Sequence, residues 1–405
     1  MTENPFIVSV SDDELNLLQQ KLAIANLPDE LDDVNWAYGA PLTDIRRLVA
    51  RWREGFDWRT QEARLNAEMP QFTRDLEVEG FGSLNVHYVH KKSDQEGAIP
   101  LLFVHGWPGS FIEARKILPM LTKPPLDQQS FHVVAVSLPG YGFSEAPKKK
   151  GFSISQFAEV CHKVMLALGY NEYVTQGGDW GGLITRKMAA MYGGKHIKAW
   201  HTNFPVVRPP EFSLNPITLF TSLSMLPALF YLFLFSPTER IALQRTLTVQ
   251  RTGMAYFQIQ ATKPQTLGYA LADSPVGLLA WIYEKLVAWS DGYKWEDDEV
   301  LTWISIYIFS RAGPAASLRI YYEASASGRL LPAIWEWDQL PRIPMGVSYF
   351  PGEMLLLPRS WIRRTGNVVF ERVHDAGGHF AAHEVPELLV GDVRKMFRAV
   401  WGVQY

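Results

Sequence analysis

One aspartate in this chain stands where a strand-to-helix turn would raise its side chain above a sheet. The stretch Gly177–Gly182 reads Gly-Gly-Asp-Trp-Gly-Gly, with the β-prone residues 173–175 before it and the helix-forming run 183–190 after it. Glycines on both sides of Asp179 permit a sharp turn where a Cβ atom would clash. The partial positive charge of a helix N-terminus would favour the ionised carboxylate. Such a carboxylate can attack an alkyl carbon; the alternative is an aspartate that only caps a helix.

A carboxylate nucleophile needs a base and an acid that orients the base, and both follow it in the chain. In hydrolases with a nucleophile on such a turn, the order is nucleophile, acid, base. The base candidate is His379, in a glycine-rich loop after the last predicted strand, with His374 and His383 as competitors that lack flanking glycines. The acid candidate is Glu353, at the carboxyl end of a predicted strand, where catalytic residues of open α/β sheets lie. The alternatives are a surface histidine and a solvated loop carboxylate.

A glycine-rich loop after the first buried strand is the candidate oxyanion site. It reads His105-Gly106-Trp107-Pro108-Gly109. The backbone N–H groups of Trp107 and Trp180 could converge on a tetrahedral oxyanion, each contributing about 3 kcal/mol. We expect His105 itself to be structural, because its neighbours supply the N–H groups.

The elements that must position these residues can be read from the apolar pattern. Residues 1–90 read as helices, the first with the capping box Ser11-Asp12-Asp13-Glu14, followed by an antiparallel edge hairpin around 80–83. Continuous apolar runs then predict a parallel sheet covered on both faces. They lie at residues 101–104, 133–136, 173–175, 345–350 and 367–370.

A long, aromatic-rich helical insertion separates the third and fourth of these runs. We therefore predict an α/β fold, a mostly parallel sheet core with a helical cap. The predicted divisions are 1–90 for the N-terminal segment, 91–204 and 342–405 for the two parts of the core, and 205–341 for the cap.

Composition narrows the class of protein. A net charge of −3 does not indicate binding to nucleic acid or to an anionic membrane, both of which attract basic proteins. The single cysteine, Cys161, cannot form an internal disulfide, so a reducing compartment is expected. The uncharged segment 215–237 is long enough to span a bilayer, but three prolines interrupt it and core strands lie on both sides of it. We interpret it as an apolar wall of the cap; a membrane span and shallow membrane contact are the alternatives.

The motifs around the candidate residues resemble those of the microsomal-type epoxide hydrolases of the α/β-hydrolase superfamily, especially their soluble fungal members. These motifs are 105–108, 178–181, 350–353 and 377–380, and the likeness covers essentially the whole chain. The resemblance implies that the N-terminal segment straps around core and cap. It also implies that two cap tyrosines bind the epoxide oxygen, at positions matching Tyr256 and Tyr321, with Tyr322 as the neighbouring alternative.

The resemblance further implies hydrolysis of an epoxide through an alkyl-enzyme ester, with no metal or organic cofactor. Membrane-bound relatives carry an N-terminal anchor that is absent here, so a soluble, cytoplasmic protein is expected, and relatives often form homodimers. Glu353 stands where some fungal relatives have aspartate. The alternatives that remain are an epoxide-opening cyclase, a haloalkane dehalogenase-like enzyme, and a non-catalytic receptor on the same fold.

Overall fold

The computed structural model describes residues 3–207, 235–325 and 341–401. Most of the apolar segment 215–237 lies outside these residues, so its interpretation as a cap wall stays a prediction. Within the described ranges, no helix is both long and apolar enough to cross a membrane. The predicted division of the chain into core and cap also stays a prediction.

A mixed, mostly parallel sheet runs through the described residues. Its nine strands are β1 Asn4–Phe6, β2 Gln71–Val78, β3 Gly82–Lys91, β4 Ile99–Val104, β5 Phe131–Val136, β6 Tyr173–Gly177, β7 Ile197–Thr202, β8 Pro344–Tyr349 and β9 Asn367–Val373. Their order is β1-β2-β3-β5-β4-β6-β7-β8-β9. Along this order, the neighbouring pairs β1–β2, β2–β3 and β3–β5 are antiparallel, and every later pair is parallel. The predicted parallel core is confirmed.

Helices flank this sheet and also occupy much of the described sequence between β7 and β8. Those before β7 are α1 Asp12–Ala23, α2 Leu42–Glu54, α3 Trp58–Glu68, α4 Ile117–Thr122, α5 Ile154–Ala167 and α6 Asp179–Tyr192. Those between β7 and β8, here called the cap helices, are α7 Pro237–Thr252, α8 Ala255–Thr262, α9 Pro264–Asp273, α10 Pro275–Ala288, α11 Asp297–Ile308 and α12 Arg319–Ala324. The last three are α13 Arg359–Ile362, α14 Ala381–Glu384 and α15 Pro386–Val400.

The N-terminal helices form where the pattern predicted them. Ser11 and Glu14 make the reciprocal capping box at the start of α1, and α2 buries its apolar stripe. The hairpin of β2 and β3 is also confirmed, but its prediction as the edge of the sheet is wrong. β1 pairs with β2 and forms the edge instead, because the first residues of the chain fold back along Gln71–Thr73.

Charged pairs join this N-terminal segment to the cap helices. Arg51 on α2 makes a bidentate contact with Asp298 on α11, at 2.8 and 2.9 Å. Arg47 pairs with Asp297 on the same helix, and Tyr283 on α10 donates to Asp44 at 3.2 Å. The N-terminal segment therefore contacts the cap, as the resemblance implied for a strap.

Candidate active site

The turn at Asp179 is a strained junction between β6 and α6. Asp179 has a φ of +48°, a left-handed conformation that non-glycine residues seldom adopt. A Cβ on Gly181 would lie 1.9 Å from the Val104 carbonyl oxygen, so only glycine lets α6 begin against the end of β4. The sequence prediction of a sharp turn carrying a carboxylate is confirmed.

Residues 105–109, the candidate oxyanion site and here called the oxyanion loop, lie directly against this carboxylate. The Trp107 N–H donates to Asp179 Oδ1 at 2.8 Å. A Cβ on Gly106 would come within 2.3 Å of the same oxygen, so the loop backbone can approach only through glycine. Trp180 lies in the first turn of α6, where N–H groups have no partner within the helix. The Trp107 N–H therefore binds only one oxygen of the carboxylate, and Asp179 Oδ2 receives no hydrogen bond from it.

His379 lies between two carboxylates. Its Nδ1 is 2.7 Å from Glu353 Oε1, and its Nε2 is 3.6 Å from Asp179 Oδ2. Burial disfavours the protonated ring, but Glu353 and Asp179 outweigh burial and raise the pKa of His379 well above 6.5. Glu353 is fully buried, and its Oε1 also accepts the Met354 N–H at 2.7 Å. The predicted trio of Asp179, Glu353 and His379 is thus brought together.

The two alternative candidates for the base contact other side chains. His374 Nε2 contacts Asp392 Oδ2 at 2.6 Å, and His383 stacks on Trp295 with ring centroids 4.8 Å apart. His105 is buried, accepts the Leu138 N–H at 3.2 Å, and has its pKa lowered by burial to about 4. It is neutral at physiological pH and structural, as expected.

The two predicted tyrosines meet above the oxyanion loop. The Tyr256 ring stacks on the Trp107 ring, with centroids 5.4 Å apart, and Tyr321 packs edge-on against Tyr256 at 5.9 Å. Tyr321 is 1% exposed and Tyr322 is 44% exposed, so Tyr321 is the one that faces this cluster. The Tyr321 ring also lies 4.9 Å from that of Trp180. Burial raises the pKa of both cluster tyrosines well above 10, so both phenols are neutral proton donors.

Sequence reasoning missed the cap side chains that hydrogen-bond to the loops carrying the candidate residues. Tyr307 donates to the Gly109 carbonyl at 2.7 Å, and Trp303 Nε1 donates to the Pro108 carbonyl at 2.5 Å. Arg245 on α7 donates to the Gly352 carbonyl at 2.6 Å and to that of Glu353 at 3.1 Å. These are contacts between distant parts of the chain, and no local pattern in the sequence signals them.

The strand order, the turn at Asp179 and the loop that carries His379 after β9 define an α/β-hydrolase. Comparison with known proteins gives the same fold: residues 99–245 match the family described as alpha/beta hydrolase fold, and residues 3–114 match the one described as epoxide hydrolase N terminus. Both matches are independent of the site geometry.

Relatives of similar length narrow the class further. The chain is 37% identical to epoxide hydrolase 1 of Sus scrofa, over 96% of this chain and 87% of that protein. The solved structure of Aspergillus niger epoxide hydrolase has a TM-score of 0.83 and 32% identity, over 99% of this chain and 97% of that one. Juvenile hormone epoxide hydrolase of Bombyx mori has a TM-score of 0.86 and 29% identity, over 98% and 95%. The chain is an enzyme of the epoxide hydrolase family.

Proposed function

We propose that this protein converts epoxides to vicinal diols through a covalent ester on Asp179. The observation that carries the proposal is His379, held 2.7 Å from Glu353 and 3.6 Å from Asp179. A histidine between an orienting carboxylate and a nucleophilic carboxylate is the arrangement needed to form an ester and then hydrolyse it. The buried tyrosine pair adds the acid that opening an epoxide requires.

In the first half-reaction, Asp179 Oδ2 attacks a ring carbon of the epoxide. The hydroxyls of Tyr256 and Tyr321 hydrogen-bond the ring oxygen, and one of them protonates it as the C–O bond breaks. Their raised pKa values keep both phenols protonated until this step. The Tyr321 hydroxyl makes no hydrogen bond within the described residues, so it is available to a ligand oxygen.

In the second half-reaction, His379 removes a proton from water, which attacks Cγ of the esterified Asp179. Asp179 Oδ1 then carries the developing negative charge, and the Trp107 N–H already donates to that oxygen. The Trp180 N–H is the proposed second donor. General-base assistance of this kind contributes roughly 10²-fold to 10⁴-fold.

Single turnover in ¹⁸O-labelled water tests the nucleophile. We expect the first diol to lack the label and the Asp179 carboxylate to gain it, because water attacks the ester carbonyl. Label in the first diol would contradict the covalent scheme. Asp179→Ala should abolish turnover, and His379→Gln should accumulate an adduct visible as a substrate-sized mass gain.

The products distinguish the other candidate reactions. Halide release from chloroalkanes without diol formation would indicate a dehalogenase, and a cyclic ether from a hydroxy-epoxide would indicate a cyclase. Binding without turnover of any epoxide would indicate a receptor. The tyrosine pair supports epoxides over haloalkanes, because a departing halide needs no proton.

Location and assembly stay part of the proposal. The single cysteine, Cys161, is buried and free, which supports a reducing, cytoplasmic compartment. A homodimer is supported by the family resemblance alone, and light scattering on the purified protein would measure it.

A further inference from the structure

A second carboxyl group lies beside the proposed catalytic residues, on Glu113. It belongs to the 3₁₀ turn Phe111–Ala114, which follows the oxyanion loop. Glu113 lines a small cavity together with Asp179 and His379. The proposed half-reactions give it no task, although it faces both of the groups that act on the ester.

Two glycines of the oxyanion loop make room for two carboxyl groups. A Cβ on Gly106 would lie 2.3 Å from Asp179 Oδ1, and a Cβ on Gly109 would lie 1.6 Å from Glu113 Oε1. Any side chain at Gly109 would therefore displace Glu113 from the cavity. The loop passes between the two carboxyl groups, and each is in contact with its own glycine.

The surroundings of the Glu113 carboxyl group favour its neutral form. Within the described parts of the chain it has no lysine or arginine at ion-pair distance. Burial raises the pKa of Glu113 to about 8, with Asp179 adding to the rise and His379 opposing it. A neutral carboxyl group offers a carbonyl oxygen that accepts hydrogen bonds, without adding a second negative charge beside Asp179.

The cavity has the size of a water site, and several polar groups lie in its wall. Its volume is about 10 Å³, which is close to the room that one water molecule needs. Gln176 also lines it, and its buried Oε1 has no hydrogen-bond partner among the described residues, while its Nε2 donates to Asn203 at 2.9 Å. Glu113 and Gln176 therefore line the cavity with hydrogen-bond acceptors, and a water molecule that directs one hydrogen to His379 can bind one of them.

We propose that Glu113 binds the water that hydrolyses the alkyl-enzyme ester, by accepting a hydrogen bond from it through its carbonyl oxygen. The inference rests on the proposed function. One hydrogen of this water goes to His379 Nε2, the other is held by Glu113, and the oxygen forms a bond to Cγ of Asp179. The intermediate then collapses with cleavage of the bond between Cγ and the alkylated Oδ2, which leaves with the substrate carbon as an alkoxide and takes the proton from His379. The resulting Asp179 carboxylic acid returns its proton to His379, and Glu113 keeps its own proton throughout.

The test separates the two half-reactions by rapid mixing of excess enzyme with an aryl epoxide. Acid quench and intact-mass analysis follow formation and decay of the alkyl-enzyme. Glu113→Leu removes the acceptor and should slow decay by about 10-fold to 100-fold, the effect of one lost hydrogen bond, with alkylation unchanged within about 3-fold. Glu113→Gln keeps the carbonyl and should decay within about 5-fold of wild type. Glu68→Gln, which alters an exposed carboxylate bonded to Arg115, is the matched control.

The pH profile adds a readout that a purely structural role would not change. In the wild type, decay should slow as pH rises and Glu113 ionises, because ionised Glu113 repels the developing oxyanion. Glu113→Gln cannot ionise and should lack this decline, which tests the inference even if Glu113→Leu fails to fold.

Decay of the alkyl-enzyme at the wild-type rate in Glu113→Leu would overturn the inference. A Glu113→Gln variant whose adduct decays as slowly as that of a folded Glu113→Leu would also overturn it. So would a Glu113→Gln variant whose decay rate still falls at alkaline pH. A wild-type enzyme that turns over without any adduct would instead overturn the proposed function.

Discussion

Replacing Glu353 by glutamine separates the charge of this residue from its geometry. The glutamine carbonyl can take the place of Oε1, which accepts hydrogen bonds from His379 Nδ1 and the Met354 N–H, both at 2.7 Å. The amide nitrogen would then occupy the place of Oε2, which has no partner among the described residues. Glu353→Gln therefore keeps the orientation of His379 and removes the negative charge that supports its protonated form.

The size of the effect follows from that charge. Two unit charges about 4 Å apart interact by about 4 kcal/mol at an effective dielectric constant of about 20. Glu353 is fully buried, so bulk solvent does not screen the contact. Since about 1.4 kcal/mol is a factor of ten, losing this stabilisation as His379 takes its proton should slow ester hydrolysis by about 10³-fold. Alkylation should fall less, because Asp179 and the tyrosine pair are untouched.

Rapid-quench kinetics with intact-mass detection measures both steps. Glu353→Gln should accumulate the alkyl-enzyme. Glu145→Gln is the matched control and should not accumulate it, because Glu145 accepts a backbone N–H, that of Asn85, outside the site. The unpaired amide nitrogen should also lower the free energy of unfolding by about 1–3 kcal/mol. Wild-type decay of the adduct in Glu353→Gln would refute the reasoning, as would an equal loss in both half-reactions.

Three further predictions concern side chains around this trio. Tyr256→Phe and Tyr321→Phe should each slow alkylation by about 10-fold to 100-fold in stopped-flow fluorescence, whereas the 44%-exposed Tyr322→Phe should not. Tyr307→Phe leaves a buried loop carbonyl without its donor, and should lower the free energy of unfolding in urea by about 1–3 kcal/mol; an unchanged midpoint would contradict it. The raised pKa of His379 stabilises the fold fully below pH 6.5 and less as pH rises through the raised value. As pH rises from about 6.5 through the raised value, wild type should therefore lose more stability than His379→Gln; equal losses would contradict this.

The chain carries most of its proposed catalytic residues in local motifs, which made them predictable. The turn at Asp179 and the loop at His379 depend on glycines adjacent in sequence, so residue type and spacing were sufficient. The structure gives the physical reason at each place: Gly377 has a φ of +102°, and a Cβ on Gly378 would lie 2.6 Å from the Trp289 carbonyl oxygen. Tyr256 and Tyr321 came from the family resemblance alone, because composition cannot select two tyrosines among sixteen.

The supporting contacts could not be predicted, because they join residues far apart in sequence. The Tyr307 contact with Gly109 spans 198 positions, and the Arg245 contact with Gly352 spans 107. Glu113 was missed for a similar reason: its place in the cavity depends on space left by Gly109, and only the folded loop shows that space. The edge strand β1 was missed because three residues are too few for a period of two to be recognised.

The position of His379 between two carboxylates has a consequence for the proton balance of turnover. The raised pKa of His379 favours the imidazolium form in the resting site, because its two carboxylate neighbours stabilise the protonated ring. In the proposed reaction, alkylation neutralises Asp179, one of those neighbours is lost, and the ring can release its proton to the tyrosine that protonated the epoxide oxygen. Ester hydrolysis then restores both the carboxylate and the imidazolium. The enzyme thus carries the proton required for ring opening from one cycle to the next, and hydrolysis of the epoxide proceeds without net uptake of a proton from the solvent.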